Sequence, residues 1–218
     1  MSSFTREQIY ARAVSLRVNS ELERNGIKHS NLSLNRVSPK VFHAAIASGK
    51  AANAHGWKVD LHTEKEYGRM RLYLTSDGKA GLAIKRNGDV VSVFSSVKGS
   101  NSLGKLIPYA VALGGKKLDC YGDKLASMYA RYGAKATGRV KFNDEYAPEG
   151  WDGSERPDVF AMVLPKSLGE VISKHNSMAI VDGDKVKLHK SYDAMIKARN
   201  KEVPKGGVNR NMLGLTSG

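Results

Sequence analysis

The chain has 218 residues, 41% of them hydrophobic, which is enough for a packed core and excludes global disorder. Thirty-five Lys and Arg outnumber 21 Asp and Glu, and the resulting formal charge of +14 attracts polyanions: nucleic acid, an acidic membrane surface or a phosphorylated cofactor. The single cysteine, Cys120, excludes an intramolecular disulfide and a cysteine-based metal site. No stretch approaches the roughly 18–20 apolar residues of a membrane span. The opening segment, "MSSFTREQIYARAVSLRVN", carries charges throughout and lacks the apolar core of a secretory signal, so a cytoplasmic location is the expectation.

Thr5 and Gln8 have the spacing of a capping box, and Ile9, Ala13 and Leu16 then recur on one helical face as far as the stop signal Asn25-Gly26. Ser38-Pro39 predicts a second helix, with serine as N-cap and proline at the first helical position. Phe42, Ala45, Ile46 and Gly49 mark its buried side and His55-Gly56 its end. Residues 57–62 are expected as an edge strand. The strands 69–75, 80–85 and 89–95 follow as an antiparallel meander, because Asp77-Gly78 and Asn87-Gly88 between short apolar runs favour tight hairpins.

After residue 95 the pattern changes to crossovers: a helix over 103–113 closed by Gly114-Gly115, a strand over 116–121, a helix over 123–132 closed by Gly133, a strand over 134–142, a polar loop over 143–158 and a strand over 159–165. Strand, helix, strand, helix, strand predicts a locally parallel region with helices covering it. The fold class is therefore α+β with a mixed sheet, an antiparallel meander followed by βαβαβ crossovers with helices on both faces. Residues 178–190 read as a hairpin turning at Asp182-Gly183, 192–201 as a short helix, and the Gly-rich remainder as a tail. The division expected is a main domain over 1–165 and a small basic extension over 166–218.

The Gly/Ser turn "SSVKGSNSLGKL" lies between the third strand of the meander and the next helix, where backbone N–H groups commonly hold phosphate. Together with "MYARYGAKATGRV", in which Tyr129 precedes Gly133 by four residues and a strand follows at once, this element order resembles the GCN5-related N-acetyltransferase (GNAT) superfamily over roughly residues 5–165. In general look the chain is similar to phage-encoded members of that superfamily, which would place it in a host cytoplasm. The resemblance implies that acetyl-CoA binds along Phe94, Ser95, Ser96, Val97, Lys98, Gly99, Ser100, Asn101, Ser102, Leu103, Gly104 and Lys105, with the pyrophosphate on the 97–105 loop. A backbone N–H near Phe94 to Ser96 would hold the thioester oxygen. Tyr129 would act as general acid toward the departing thiolate, and on the residues alone it equally fits packing under the sheet. The family loop usually reads Gln/Arg-x-x-Gly-x-Gly/Ala; here Gly99 and Gly104 stand five apart, and Ala134 occupies the place of the usual aromatic after the glycine.

No glutamate stands on the strand where the family often places its general base. Asp119 is the candidate on the following strand, with a cap or a surface ion pair as its plain structural role; Asp144 and Glu145 are further candidates. His29, His43, His55, His62, His175 and His189 fall in unrelated elements and predict no metal site. Cys120, on a short apolar strand, reads as core rather than as a nucleophile. The acidic loop 143–158, with Tyr146 and Trp151, is expected to border the acceptor of the acyl group. Two functions follow. One is acetyl transfer to an amine of a protein, a small molecule or a tRNA-linked group. The other is a GNAT-like module that binds nucleic acid or a protein partner, or that modifies nucleic acid. For it, Lys185, Lys187, Lys190, Lys197, Arg199, Lys201, Lys205 and Arg210 would supply the phosphate contacts.

Overall fold

Thr5 starts the first helix as its spacing predicts: its hydroxyl accepts from the Gln8 N–H at 3.2 Å, and the Gln8 side chain accepts from the Thr5 N–H at 2.9 Å. In the computed structural model, which describes residues 3–97, 102–176 and 180–205, this helix α1 runs Arg6–Arg24, and Gly26 follows with a φ of 66°. Its buried stripe differs from the expected one. Ile9 and Leu16 are exposed, while Ala11, Val14, Ser15, Val18 and Leu22 turn inward. Both sets recur every three to four residues, so periodicity alone does not choose between the two faces. A tertiary tie does: the Ser15 hydroxyl donates to the Ala11 carbonyl at 2.9 Å and accepts from the Leu34 N–H at 3.0 Å, joining α1 to strand β1 (Leu34–Arg36).

β1 takes the edge position expected for 57–62, which holds instead a 3-10 turn at Gly56–Lys58 and irregular chain. Three residues with one apolar side chain leave no alternation to read. Helix α2 (Pro39–Ala51) starts on Ser38, whose hydroxyl accepts from the Val41 N–H at 3.3 Å, and it ends at Ala51, short of His55. A one-turn helix, α3 (Glu64–Tyr67), is capped by Thr63 and Glu66. The meander is as expected: β2 (Arg71–Thr75), β3 (Ala80–Ile84) and β4 (Val90–Ser95) pair antiparallel in the order β1-β2-β3-β4, turning at Gly78 and Gly88 with φ of 68° and 84°. On one face Phe42, Ile46, Tyr67, Leu72, Leu74, Ala83 and Phe94 form an apolar cluster under α2 and α3. The opposite face packs on α1 and on α4 (Ile107–Ala112), which is entered through a 3-10 turn at Gly104–Leu106.

The second sheet holds β5 (Lys117–Tyr121), β6 (Lys135–Val140) and β7 (Val159–Val163), with α5 (Asp123–Ala130) between the first two. Its order is β5-β7-β6 and both neighbouring pairs are antiparallel, which corrects the expected parallel pairing. The crossover through α5 does return β6 in the direction of β5, but the 143–158 loop brings β7 back between them. Among the described residues parallel pairing is limited to the isolated bridges Asp89–Lys117 and Arg139–Leu188. The protein is thus α+β, with antiparallel sheets and helices on both faces.

After β7 comes α6 (Leu168–Lys174), which was not expected. The hairpin read over 178–190 is absent from 180–190, which contain a 3-10 turn at Gly183–Lys185 and the one bridge to β6; residues 177–179 lie outside the described residues. Helix α7 (Tyr192–Glu202) lies against β6 and β7, with Met195 and Arg199 buried. No described helix is long and apolar enough to cross a membrane.

Candidate functional site

β4 ends the first sheet and β5 begins the second. They run in the same direction, meet at the Asp89–Lys117 bridge and separate beyond it. Between them opens a cleft of about 690 Å³, lined by both strands, by α5 and by parts of segments 49–60 and 155–157. That volume is within the roughly 300–1,000 Å³ usual for small-molecule sites.

The β4 wall is irregular where it faces the cleft. Ala83 pairs with Val91 but Gly81 pairs with Phe94, so β4 carries an extra residue, and Ser92 sits in the left-handed region with φ of 52°. Hydrogen bonds hold Ser92 in that conformation: its hydroxyl donates to the Asp60 carbonyl at 2.9 Å and accepts from the Tyr67 hydroxyl at 2.8 Å, and Tyr67 in turn accepts from the His62 N–H at 3.2 Å. Further along, the Ser96 N–H donates to the Lys79 carbonyl at 2.7 Å, which removes it as a donor to the cleft. Because alternate residues of an antiparallel pair exchange their hydrogen bonds, Ser95 then directs its N–H away from β3, toward the cleft side. Phe94 packs its ring into the cluster under α2, 6.0 Å from Phe42, and an added Cβ on Gly49 would approach it to 2.9 Å. Ser95 is half-buried, Ser96 and Val97 are exposed, and Ser102, Leu103, Gly104 and Lys105 lead into α4. Leu103 reaches the cleft. Lys98, Gly99, Ser100 and Asn101 lie outside the described residues.

The opposite wall carries Tyr129, Cys120 and Asp119, while Lys50, Lys58 and Asp60 line the cleft from segment 49–60. Tyr129, on the inner face of α5, lines the cleft while only 3% exposed, and its hydroxyl makes no hydrogen bond among the described residues. Burial, and then the neighbouring Cys120, push its phenol well above the ordinary range, so it remains protonated at any working pH. Cys120 is buried as well; desolvation and then Asp119 push its thiol upward, and its Sγ lies 3.9 Å from the Met162 sulfur. It is a core thiol, not a thiolate nucleophile.

Asp119 lines the same cleft, with 27% of its side chain exposed. Its Oδ2 accepts from the Tyr192 hydroxyl at 3.1 Å, and its Oδ1 stands 3.7 Å from Arg199 Nη1. Desolvation first, and then the nearby Asp89, push its carboxyl up to about 6 against the pull of Arg199 and Tyr192. Its plain structural role is thus an ion pair, with the buried Arg199 rather than with a surface cation, alongside its place on the cleft. Asp144 and Glu145 do not line the cleft; Asp144 is exposed and clamped by Arg156 at 2.9 Å, which holds it below the usual carboxylate range. From loop 143–158 the lining residues are Glu155, Arg156 and Pro157, while Tyr146 projects into solvent. Trp151 stacks near Phe142, and its indole N–H donates to the Glu155 carbonyl at 2.7 Å. Among the described residues no cluster of His, Cys, Asp or Glu is placed to hold a metal ion.

One residue assigned from sequence to a phosphate-binding surface belongs elsewhere. Arg199 is 2% exposed and faces Asp119 and Asp89, so it contacts no external phosphate. Lys185, Lys187, Lys190, Lys197, Lys201 and Lys205 are exposed, and Arg210 lies outside the described residues. Sequence reasoning also missed Tyr192, Asp89, Asp60 and Tyr67 as neighbours of the cleft. The usable signal was on α7, where Arg199 follows the apolar Met195 by four residues on the one buried face. Comparison with family models, with curated proteins and with solved structures returns no match.

Proposed function

We propose that the cleft between β4 and β5 is the active site of a GNAT-like N-acyltransferase that moves an acetyl group from acetyl-CoA to an amine. The observation that carries this reading is the Tyr129 hydroxyl: buried, protonated, without a hydrogen-bond partner among the described residues, and facing a cleft whose other wall is a bulged strand edge. A phenol left unpaired in such a place has a hydrogen bond to give to a departing thiolate; the role rests on that position, because burial by itself makes the phenol a weaker acid. Acetyl-CoA would supply the activated thioester. Ser95 directs a backbone N–H toward the cleft, where it stabilises negative charge developing on the carbonyl oxygen. Tyr129 gives its proton to the sulfur as the C–S bond breaks and recovers one from solvent. Asp119, charged above about pH 6, takes the proton that the amine nitrogen loses as the C–N bond forms. Phe94, Ser95 and Leu103 line the cleft on the side where the rest of the cofactor would lie.

Titration calorimetry with acetyl-CoA, followed by an assay of free thiol in the presence of amines, tests the reading. Micromolar binding together with a loss of turnover of about 10²–10⁴-fold in Tyr129→Phe, at unchanged affinity and stability, supports it. Absence of binding by nucleic-acid-free protein sinks it. A second reading has its own observation: the exposed lysines of residues 185–205 favour a polyanion-binding module, for which affinity for single- or double-stranded nucleic acid would fall steeply with added salt.

A further inference from the structure

Helix α7 follows β5 by more than 70 residues, yet two of its side chains end on one carboxylate of the cleft. Besides the Tyr192 hydrogen bond and the Arg199 contact to Asp119, Arg199 Nη1 donates to the Leu118 carbonyl at 3.0 Å, which fixes the backbone immediately before Asp119. Arg199 Nε and Nη2 both donate to the Asn200 side chain at 3.3 Å. Burying a guanidinium without an anion costs several kcal/mol. Asp119 and Asp89, at 3.7 and 4.0 Å, are the acidic groups beside it among the described residues. Tyr192 differs: it is 47% exposed, so packing does not require its hydroxyl to be where it is.

We propose that α7 is a working part of the acceptor side of the cleft, with Tyr192 and Arg199 as positioning residues that hold Asp119 as the group receiving the amine and its proton. The identity of the acceptor as an acylated amine rests on the acyl-transfer reading; the coupling of α7 to Asp119 rests on the contacts alone. The charged and titratable groups facing Asp119 come from four places. Arg199 and Tyr192 belong to α7, Asp89 to the turn before β4, Asp60 to the segment clasped by Ser92, and Lys117 to the same face of β5. Asp89 and Asp60 favour the neutral carboxyl, whereas Arg199 and Tyr192 favour the carboxylate, the form that attracts an ammonium group and takes its proton.

The test is a titration of the full chain carrying ¹³C-labelled aspartate carboxyls, with the Asp119 resonance assigned by its loss in Asp119→Asn. The expected midpoint is about 6. Tyr192→Phe should move it upward by about 1–2 pH units, the worth of one hydrogen bond to a charged group, and Asp89→Asn should move it downward. Both changes are conservative, so neither relies on dismantling Arg199. Spermidine, as a probe amine, should lower the midpoint of the wild-type chain further. If the acyl-transfer assay works, the acid limb of its pH profile should follow the same two shifts. Unmoved midpoints, shifts of one sign in both variants, or no response to spermidine would overturn the proposal. Opposite shifts and a spermidine response in a protein that releases no thiol from acetyl-CoA would uphold amine binding controlled by α7 while removing the acyl-transfer reading.

Discussion

The two walls of the cleft are supported by opposite kinds of chemistry. Behind β4 lies an apolar cluster in which Phe42 meets Tyr67 edge-on at 4.9 Å and Phe94 fills the space that Gly49 leaves open. Behind β5 lies a buried guanidinium shared by two carboxylates, with Lys117 donating to Asn200 at 3.2 Å beside it. Close packing defines a shape without reference to pH or salt. A buried ion network defines one only while its members keep their charges. The β4 side of the cleft thus rests on close packing, and the β5 side on the ion network around Asp119.

Truncating the apolar wall gives the largest expected effect. Phe42→Ala should cost about 3–5 kcal/mol in denaturant unfolding, equally at pH 5 and pH 8, because the loss is a cavity. Arg199→Ala should cost about 3 kcal/mol by leaving Asp89 and Asp119 facing each other unpaired, and adding Asp89→Asn should restore part of it. If the double variant is as unstable as the sum of the singles, the network is not a unit and the contrast between the walls fails. The smallest effect is the pH dependence of stability. The folded-state pKa of Asp119 is raised above its unfolded value, so its contribution is fully present below about pH 4 and is lost as pH rises to about 6. The difference in unfolding free energy between wild type and Asp119→Asn, measured at pH 4 and pH 6.5, should change in that sense; a constant difference would mean that Asp119 is not held at raised pKa.

The same contrast explains what could be read from the sequence. The meander was legible because Asp77-Gly78 and Asn87-Gly88 carry turn chemistry locally, and α2 because Ser38-Pro39 and Phe42, Ile46 and Gly49 agree on start and face. α1 was placed correctly but rotated wrongly, since the choice between its two apolar stripes depends on Leu34, a partner in another element. The place of β7 between β5 and β6 has no local signature either, because antiparallel return through a long loop and parallel return leave the same strand pattern. At the candidate site, Tyr129 and Asp119 were named from residue type and position, and both line the cleft. Their neighbours were not: Arg199 was counted among surface cations because only the docking of α7 buries it.

The hydroxyl chain from His62 through Tyr67 and Ser92 to Asp60 has a kinetic consequence. It latches an irregular segment, without a strand partner among the described residues, to the edge strand β4 through two buried hydroxyls, so that segment should open only when β4 does. Deuterium uptake at the His62 amide should therefore be as slow as at the amides of the β3–β4 ladder, and Tyr67→Phe, which removes the shared hydroxyl, should release it to exchange on the timescale of an ordinary surface loop.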